Sequence, residues 1–126
     1  MFLVDSNLIV AHFRKSEKHH KTVKEFFKDI NEFVITDHVL AETMTILKWK
    51  EGSEIAYKAL ELLLEVKEIF IVQMQPIEIQ KTTQFFLEQN RGISFVDASL
   101  LVIAKNRDLS LATMDKELVK AGALLA

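Results

Sequence analysis

Ile93-Ser94-Phe95-Val96-Asp97-Ala98-Ser99-Leu100-Leu101-Val102-Ile103-Ala104 is an almost wholly apolar run with a single charge in it. Strands in globular proteins usually run roughly 5–6 residues. The stretch is therefore too long and too apolar for an ordinary strand, and it predicts a buried helix from Ser94 to Asn106. Toward the C-terminus, Leu109 to Thr113 reads as a strand and Lys116 to Ala121 as a short helix, with Ala123 to Leu125 as a last edge strand. Toward the N-terminus, Pro76 fits the first turn of a helix running toward Gln89, and Gly92 ends that unit. Ile69 to Val72 is a β-branched strand. Ser53 opens a helix with Ala56, Leu60, Leu63 and Leu64 inward. Val39, Leu40, Thr43, Ile46 and Leu47 trace the stripe of another, capped by Thr36-Asp37. Phe33 to Ile35 and Phe2 to Val4 complete the strands. Helical patterns over Ser6 to Phe13 and Lys18 to Asp29 lie between them. This alternation predicts an α/β fold, with a mostly parallel sheet and helices on both faces.

The chain has 126 residues, which fits one compact domain over residues 1–126 with a core of useful size. Without cysteine, thiolate zinc sites and thiol catalysis are excluded. No N-terminal signal pattern is present, and no uncharged run approaches the roughly 20 residues a bilayer requires. A soluble, cytoplasmic protein without membrane contact is the expectation. The formal charge of -2 gives no global basic signal for nucleic acid, although an acidic site can mask a basic rim in a net count.

Four acids sit where an acid is expensive. Asp5 ends Phe2-Leu3-Val4, and Glu42 falls within Val39-Leu40-Ala41-Glu42-Thr43-Met44. Asp97 is embedded in the run quoted above, and Asp115 closes Leu109 to Met114. A carboxylate withdrawn from water needs a compensating partner or it protonates. The predicted elements put Asp5 and Asp115 after strands and Glu42 and Asp97 in first turns of helices. Those positions share the edge of an α/β sheet at which ligands bind. Glu42, three residues after Val39 and four before Ile46, is assigned to the buried stripe. A hard divalent cation is the natural shared partner, because it takes oxygen ligands and tolerates crowded negative charge. Taken singly, each acid has a plainer reading: Asp5, Asp97 and Asp115 can cap helices, and Glu42 can pair with a lysine. Capping alone does not require all four at one edge.

Val4-Asp5-Ser6-Asn7, Ile35-Thr36-Asp37-His38-Val39-Leu40-Ala41-Glu42-Thr43, Ile93-Ser94-Phe95-Val96-Asp97-Ala98 and Ala112-Thr113-Met114-Asp115, in this order and spacing, resemble the PIN domain. The likeness is strongest to VapC-type toxin ribonucleases of toxin–antitoxin pairs, and it covers essentially the whole chain. Lysine follows Asp115, so a second acid sometimes present there is missing.

The resemblance implies a PIN-like three-layer α/β/α fold with a four- to five-stranded sheet, and an endoribonuclease that uses Mg²⁺ or Mn²⁺. Asp5, Glu42, Asp97 and Asp115 are then the catalytic residues. Asp5 and Asp97 would bind the ion directly, Asp115 directly or through water, and Glu42 through water or at a second ion. Ser6, Asn7 and Thr113 would orient these groups from behind. An RNA substrate, a VapB-like antitoxin and a homodimer are implied as partners. Two alternatives stand beside this reading. One is an RNA-processing PIN nuclease without an antitoxin, and the other is a catalytically inactive binding module. A phosphate-transfer domain of the haloacid type is disfavoured, because Asp5-Ser6-Asn7 lacks a second acid two residues on.

Softer features remain. Lys15, Lys18, Lys21, Lys24 and Lys28 form a loose helical stripe that could track an RNA backbone, against the plainer reading of a solvated face. Arg14, Arg91 and Arg107 could meet phosphate, with nothing to select among them. His12, His19, His20 and His38 form no helical zinc pair. His19 and His20 read as surface residues, and His38 lies near the proposed site in sequence. Trp49 and Tyr57 read as core or subunit interface rather than base-stacking platforms. The apolar excess on Ala56 to Leu64 fits either core packing or a homodimer contact.

Overall fold

A computed structural model describes residues 1–65, 68–122 and 125. The first half of the chain runs β1 (Phe2–Val4), α1 (Ser6–Phe13), α2 (His20–Lys28), β2 (Glu32–Thr36), α3 (Asp37–Glu51) and α4 (Ser53–Glu65). The second half runs β3 (Glu68–Val72), α5 (Pro76–Glu88), α6 (Phe95–Asn106), β4 (Ser110–Ala112) and α7 (Lys116–Gly122). The expected last strand at Ala123 to Leu125 lies outside the described residues, apart from Leu125, which is in no regular element.

The sheet has four parallel strands in the order β3-β2-β1-β4, between two helical layers. Parallel strands covered on both faces become continuous apolar runs rather than alternating ones. Leu3, Val4, Phe33, Val34 and Ile35 show this, all buried in the main core with Ile9, Val39, Leu100 and Ile103. Helices α1 to α4 pack on one another, as do α5 to α7. In α6, every residue from Ala98 to Ala104 is buried, which is why its sequence lacks a polar face.

Sheet order decides where a site can form. The chain passes from β1 outward to β2 and β3, then returns to place β4 on the other side of β1. The strand order therefore reverses at the carboxyl end of β1, where open α/β sheets bind ligands. The β1–β4 register pairs Leu3 with Leu111 and Val4 with Ala112, so Asp5 and Thr113 emerge side by side.

Four sequence expectations change. Helix α2 begins only at His20, so Lys15 and Lys18 lie in the preceding turn and the lysine stripe is broken. The buried stripe of α3 is Val39, Thr43 and Leu47, and Glu42 beside it is exposed. Its azimuth, one residue from that of Thr43, carries it off the core and onto the cleft described below. On α4, Ala56, Ala59 and Leu63 face inward, whereas Leu64 is exposed with Leu62. Trp49 and Tyr57 are likewise exposed, at 80% and 63%, so neither is core. Between α3 and α4, Gly52 adopts φ +93°, a left-handed conformation that lets the two helices follow without a linker.

Candidate active site

Asp5 is the centre of the arrangement. It is only 5% exposed and occupies the N-cap of α1, where Oδ1 accepts from the Ser6 backbone N–H at 2.7 Å. Oδ2 accepts from Thr113 Oγ1 at 2.8 Å and, more weakly, from Asn7 Nδ2 at 3.4 Å. The direction of the Thr113 bond is fixed by its other contacts. Thr113 Oγ1 accepts from the Asp115 backbone N–H at 3.1 Å and from Asn7 Nδ2 at 3.2 Å. With both acceptor positions filled, its one proton goes to Asp5. Asn7 is oriented in turn, because its Oδ1 accepts from the Met114 backbone N–H at 3.3 Å. The β1–α1 and β4–α7 turns are thus tied together by two small polar side chains, Asn7 and Thr113, around one carboxylate.

None of these donors is a cation. Burial raises the Asp5 pKa above its ordinary value. The bonds from Thr113 and Ser6 oppose that rise, and the charges of Asp97 and Glu42 add to it. The carboxylate is therefore held in position but left electrostatically undercompensated.

The other three acids line the same cleft, an opening of about 400 Å³ that also includes Ser6 and Asn7. Glu42 reaches it from α3, where Oε2 accepts from Ser6 Oγ at 3.1 Å. Asp97 reaches it from α6. Its backbone N–H donates to Ser94 Oγ at 3.0 Å and its Oδ2 accepts from the Ser94 N–H at 3.1 Å, forming a reciprocal capping box. Asp115 Oδ1 caps α7 by accepting from the Glu117 and Leu118 N–H groups at 2.9 and 3.3 Å. The capping reading and the ligand reading are compatible. Each cap occupies one carboxylate oxygen, and each carboxylate has two oxygens with several acceptor positions.

Among the described residues, no group of three or more His, Cys, Asp or Glu side chains is arranged to hold a metal ion. The donor set is nonetheless oxygen-only, acidic and open, which suits an ion that commonly uses one or two carboxylates and retains waters. A more enclosed hollow of about 100 Å³ lies against Phe13, Phe27, Phe33 and Leu63, and no carboxylate lines it. Apart from His12 its lining is apolar, so it offers no oxygen ligands for a hard cation.

The PIN-domain family model matches residues 2–124. The chain belongs to the PIN-domain family. No curated protein matches it. Among solved structures, it is similar to the Mycobacterium tuberculosis toxin VapC20, a sarcin–ricin loop cleaving toxin. That similarity has a TM-score of 0.85 and 21% identity, over 97% of this chain and 95% of that one. VapBC2 from Rickettsia felis, bound to a promoter DNA fragment, gives a TM-score of 0.71 at 16% identity over 95% and 92%. PAE2754 from Pyrobaculum aerophilum gives 0.63 at 25% identity over 95% and 84%.

Two residues of this PIN domain's cleft were not singled out from the sequence, Lys50 and Glu17. Lys50 carried a readable signal, since it lies eight residues after Glu42 on the same helix. Glu17, in a turn, carried none. The arginines separate in three dimensions. Arg14 bridges Glu17 at 2.7 Å and Glu51 at 2.8 Å, Arg91 pairs with Glu117, and Arg107 is committed to Glu78 at 2.7 Å. His38 is exposed and does not line the cleft, and His20 is half-buried with Nδ1 2.7 Å from the Ala11 carbonyl oxygen.

Proposed function

We propose that this chain is a Mg²⁺- or Mn²⁺-dependent endoribonuclease, a single nuclease domain over residues 1–126 acting as the toxin of a VapBC-type pair. The observation that carries this reading is Asp5, a buried carboxylate without a cationic partner among the described residues, opening into a cleft lined also by Glu42, Asp97 and Asp115. Asp5 and Asp97 would hold the ion directly, Asp115 directly or through water, and Glu42 through water. A divalent ion bound there supplies charge relief on the phosphate and acidifies a water.

The chain's own contribution is positioning. Thr113 and the Ser6 N–H fix both oxygens of Asp5, and Asn7 locks the β4–α7 turn that presents Asp115. The single proton of the Ser6 hydroxyl goes to the nearer carboxylate, Glu42 at 3.1 Å, with Asp5 Oδ1 at 3.5 Å competing for it. Groups that orient ligands from behind typically influence metal affinity about 10–100-fold.

The likeness to VapC20 and VapBC2 supports the toxin role and, with it, an antitoxin partner. A partner that places a basic side chain in the acidic cleft would inhibit by competing with the ion. A homodimer is supported by apolar side chains left on the surface of α4 and the edge strand β3, including Leu62, Leu64, Phe70 and Ile71. Among the described residues, no helix is long and apolar enough to cross a membrane.

The helix caps made by Asp97 and Asp115 favour a second reading, a PIN-like binding module whose acids are structural. Cleavage of RNA in Mn²⁺ by the wild-type, Asp5→Asn and Asp97→Asn proteins separates the two. The enzyme reading expects Mn²⁺-dependent cleavage by the wild type alone. Equal cleavage by either variant, or none by any protein at saturating Mn²⁺, sinks it.

A further inference from the structure

Lys50 is the one basic side chain among the described residues lining the cleft, against Asp5, Glu17, Glu42, Asp97 and Asp115. Its nearby acids are already engaged: Arg14 holds both Glu17 and Glu51. Lys50 itself makes no ion pair among the described residues. The cleft therefore carries, besides its carboxylates, one cation on α3 that none of the described carboxylates engages.

Helix geometry sets the spacing. Eight residues of rise put the Lys50 backbone about 12 Å along the axis from that of Glu42, so its long side chain enters the cleft from further along α3. Trp49 lies seven residues from Glu42, within about 20° of the same azimuth, and is 80% exposed. A polyanion entering a cleft of five carboxylates is repelled wherever no cation receives it, and Lys50 is the group in place to do so. Trp49 lies outside the cleft lining and projects about 100° around α3 from Lys50, so a strand leaving the cleft over the end of the helix can meet both. Single strands are held in this way, with a base on a ring and a phosphate on a cation.

We propose that the C-terminal end of α3 is a nucleotide subsite flanking the cleavage position. Lys50 takes a neighbouring phosphate and Trp49 stacks the adjoining base. This rests on the ribonuclease reading and adds to it a direction, with the single strand running from the acids along α3 toward Gly52. Neither residue is assigned to the chemical step.

The test uses the full chain with Mn²⁺ and a mixed-sequence single-stranded RNA pool. It compares the wild type with Lys50→Gln, Trp49→Ala and Trp49→Phe. Lys50→Gln should raise KM about 10-fold with kcat within about 2-fold. The salt dependence of log KM should become shallower by about 0.7, the loss of one single-strand phosphate contact. Trp49→Ala should raise KM about 5- to 100-fold, in the range found for base stacking, and Trp49→Phe should recover most of it. The Mn²⁺-induced rise in Tm should be the same in all four proteins. An active wild type with unchanged KM in Lys50→Gln and Trp49→Ala overturns the subsite alone. So does a Lys50→Gln effect that appears as weakened Mn²⁺ binding, which marks Lys50 as a counter-ion of the cleft. A Trp49→Ala effect that follows dissociation into monomers on size exclusion assigns that side chain to a subunit contact and overturns its stacking role. A wild type without Mn²⁺-dependent cleavage overturns the ribonuclease reading and the subsite with it.

Discussion

Asp5 and Glu78 are both buried carboxylates, and the fold treats them in opposite ways. Glu78, on α5, is fully buried. Its Oε1 and Oε2 receive Arg107 at 2.7 and 2.9 Å, with Asn106 at 3.1 Å and the Gln75 N–H at 2.8 Å. The Arg107 bonds are the largest influence on its pKa, which is lowered to about 2. Arg107 is also tied to the Gln73 carbonyl at 2.7 Å, so the group joins the β3–α5 connection to the end of α6. Asp5 receives only neutral donors, and burial raises its pKa. One carboxylate has its counter-charge supplied by the chain. The other is fixed in place and left short of positive charge, as a ligand site must be if a metal ion is to supply it.

Breaking the Asp5 side should have the largest effect. Because groups behind a metal site alone affect affinity or activity by about 10–100-fold, Asp5→Asn and Asp97→Asn should each lose more than ~100-fold in Mn²⁺-dependent RNA cleavage. For the wild type, Mn²⁺ at about 100 times its Kd should add about 2.7 kcal/mol of stability in urea unfolding, and Asp5→Asn should lose this gain. An Asp5→Asn protein with the full Mn²⁺ gain would show that the undercompensated carboxylate is not a ligand.

Breaking the Glu78 side should affect folding rather than chemistry. Arg107→Ala leaves Glu78 buried and unpaired. It should cost about 3 kcal/mol, the lower end of the range for such pairs, because Arg107 is partly exposed. Urea denaturation measures this, and cleavage per folded molecule should stay near wild type.

Acid unfolding sharpens the same contrast. The folded-state pKa of Glu78, about 2, lies below the ordinary 4.5, so its contribution is fully present above the ordinary value. It is lost as the pH falls from about 4.5 toward 2, since the unfolded chain takes up the proton first. Glu78→Gln should flatten the stability profile in that window. Asp5 has the opposite sign, because its raised pKa makes the ionised form a penalty that is relieved on acidification. A profile unchanged in Glu78→Gln would remove the pair from the account of acid stability.

Thr113→Val is a finer probe. It removes the proton donor to Asp5 and the acceptor for Asn7 and Asp115 while keeping side-chain volume. A drop of about 10–100-fold in Mn²⁺ affinity is expected by titration. The smallest effect is expected for the exposed Arg91–Glu117 pair, 3.4 Å apart, where Arg91→Ala should change stability by less than about 1 kcal/mol.

Much of this was legible in the chain. The apolar run after Ser94, the strand signals at Phe2, Phe33 and Ile69, and Pro76 at a helix start predicted the elements to within a few residues. The missed or altered cases share a cause. Ile77-Glu78-Ile79 reads as ordinary amphipathic helix, and nothing local reveals that its partner is Arg107 at the end of α6. Glu42 was assigned to the buried stripe because Val39 and Ile46 flank it at helical spacing. Only the packing of α3 showed that the core face runs through Thr43, leaving Glu42 free to turn toward Ser6. Trp49 and Tyr57 look like core residues by composition and are exposed because α3 and α4 bury their other faces against each other and α1.

The sequence by itself determined the alternation of helices and strands, and with it a parallel α/β sheet. It also determined that Asp5 and Asp115 follow strands and that Asp97 falls in the first turn of a helix, because periodicity and caps are local properties of the chain. Glu42, expected in a first turn, lies in the second turn of α3, which begins at Asp37. The tertiary structure decided which charges meet. Strand order 3-2-1-4 brings Thr113 beside Asp5, the α5–α6 packing gives Glu78 its arginine, and the face of α3 turned to the cleft brings Lys50 toward the acids. Those pairings join residues distant in sequence, and electrostatic compensation depends on separation in space.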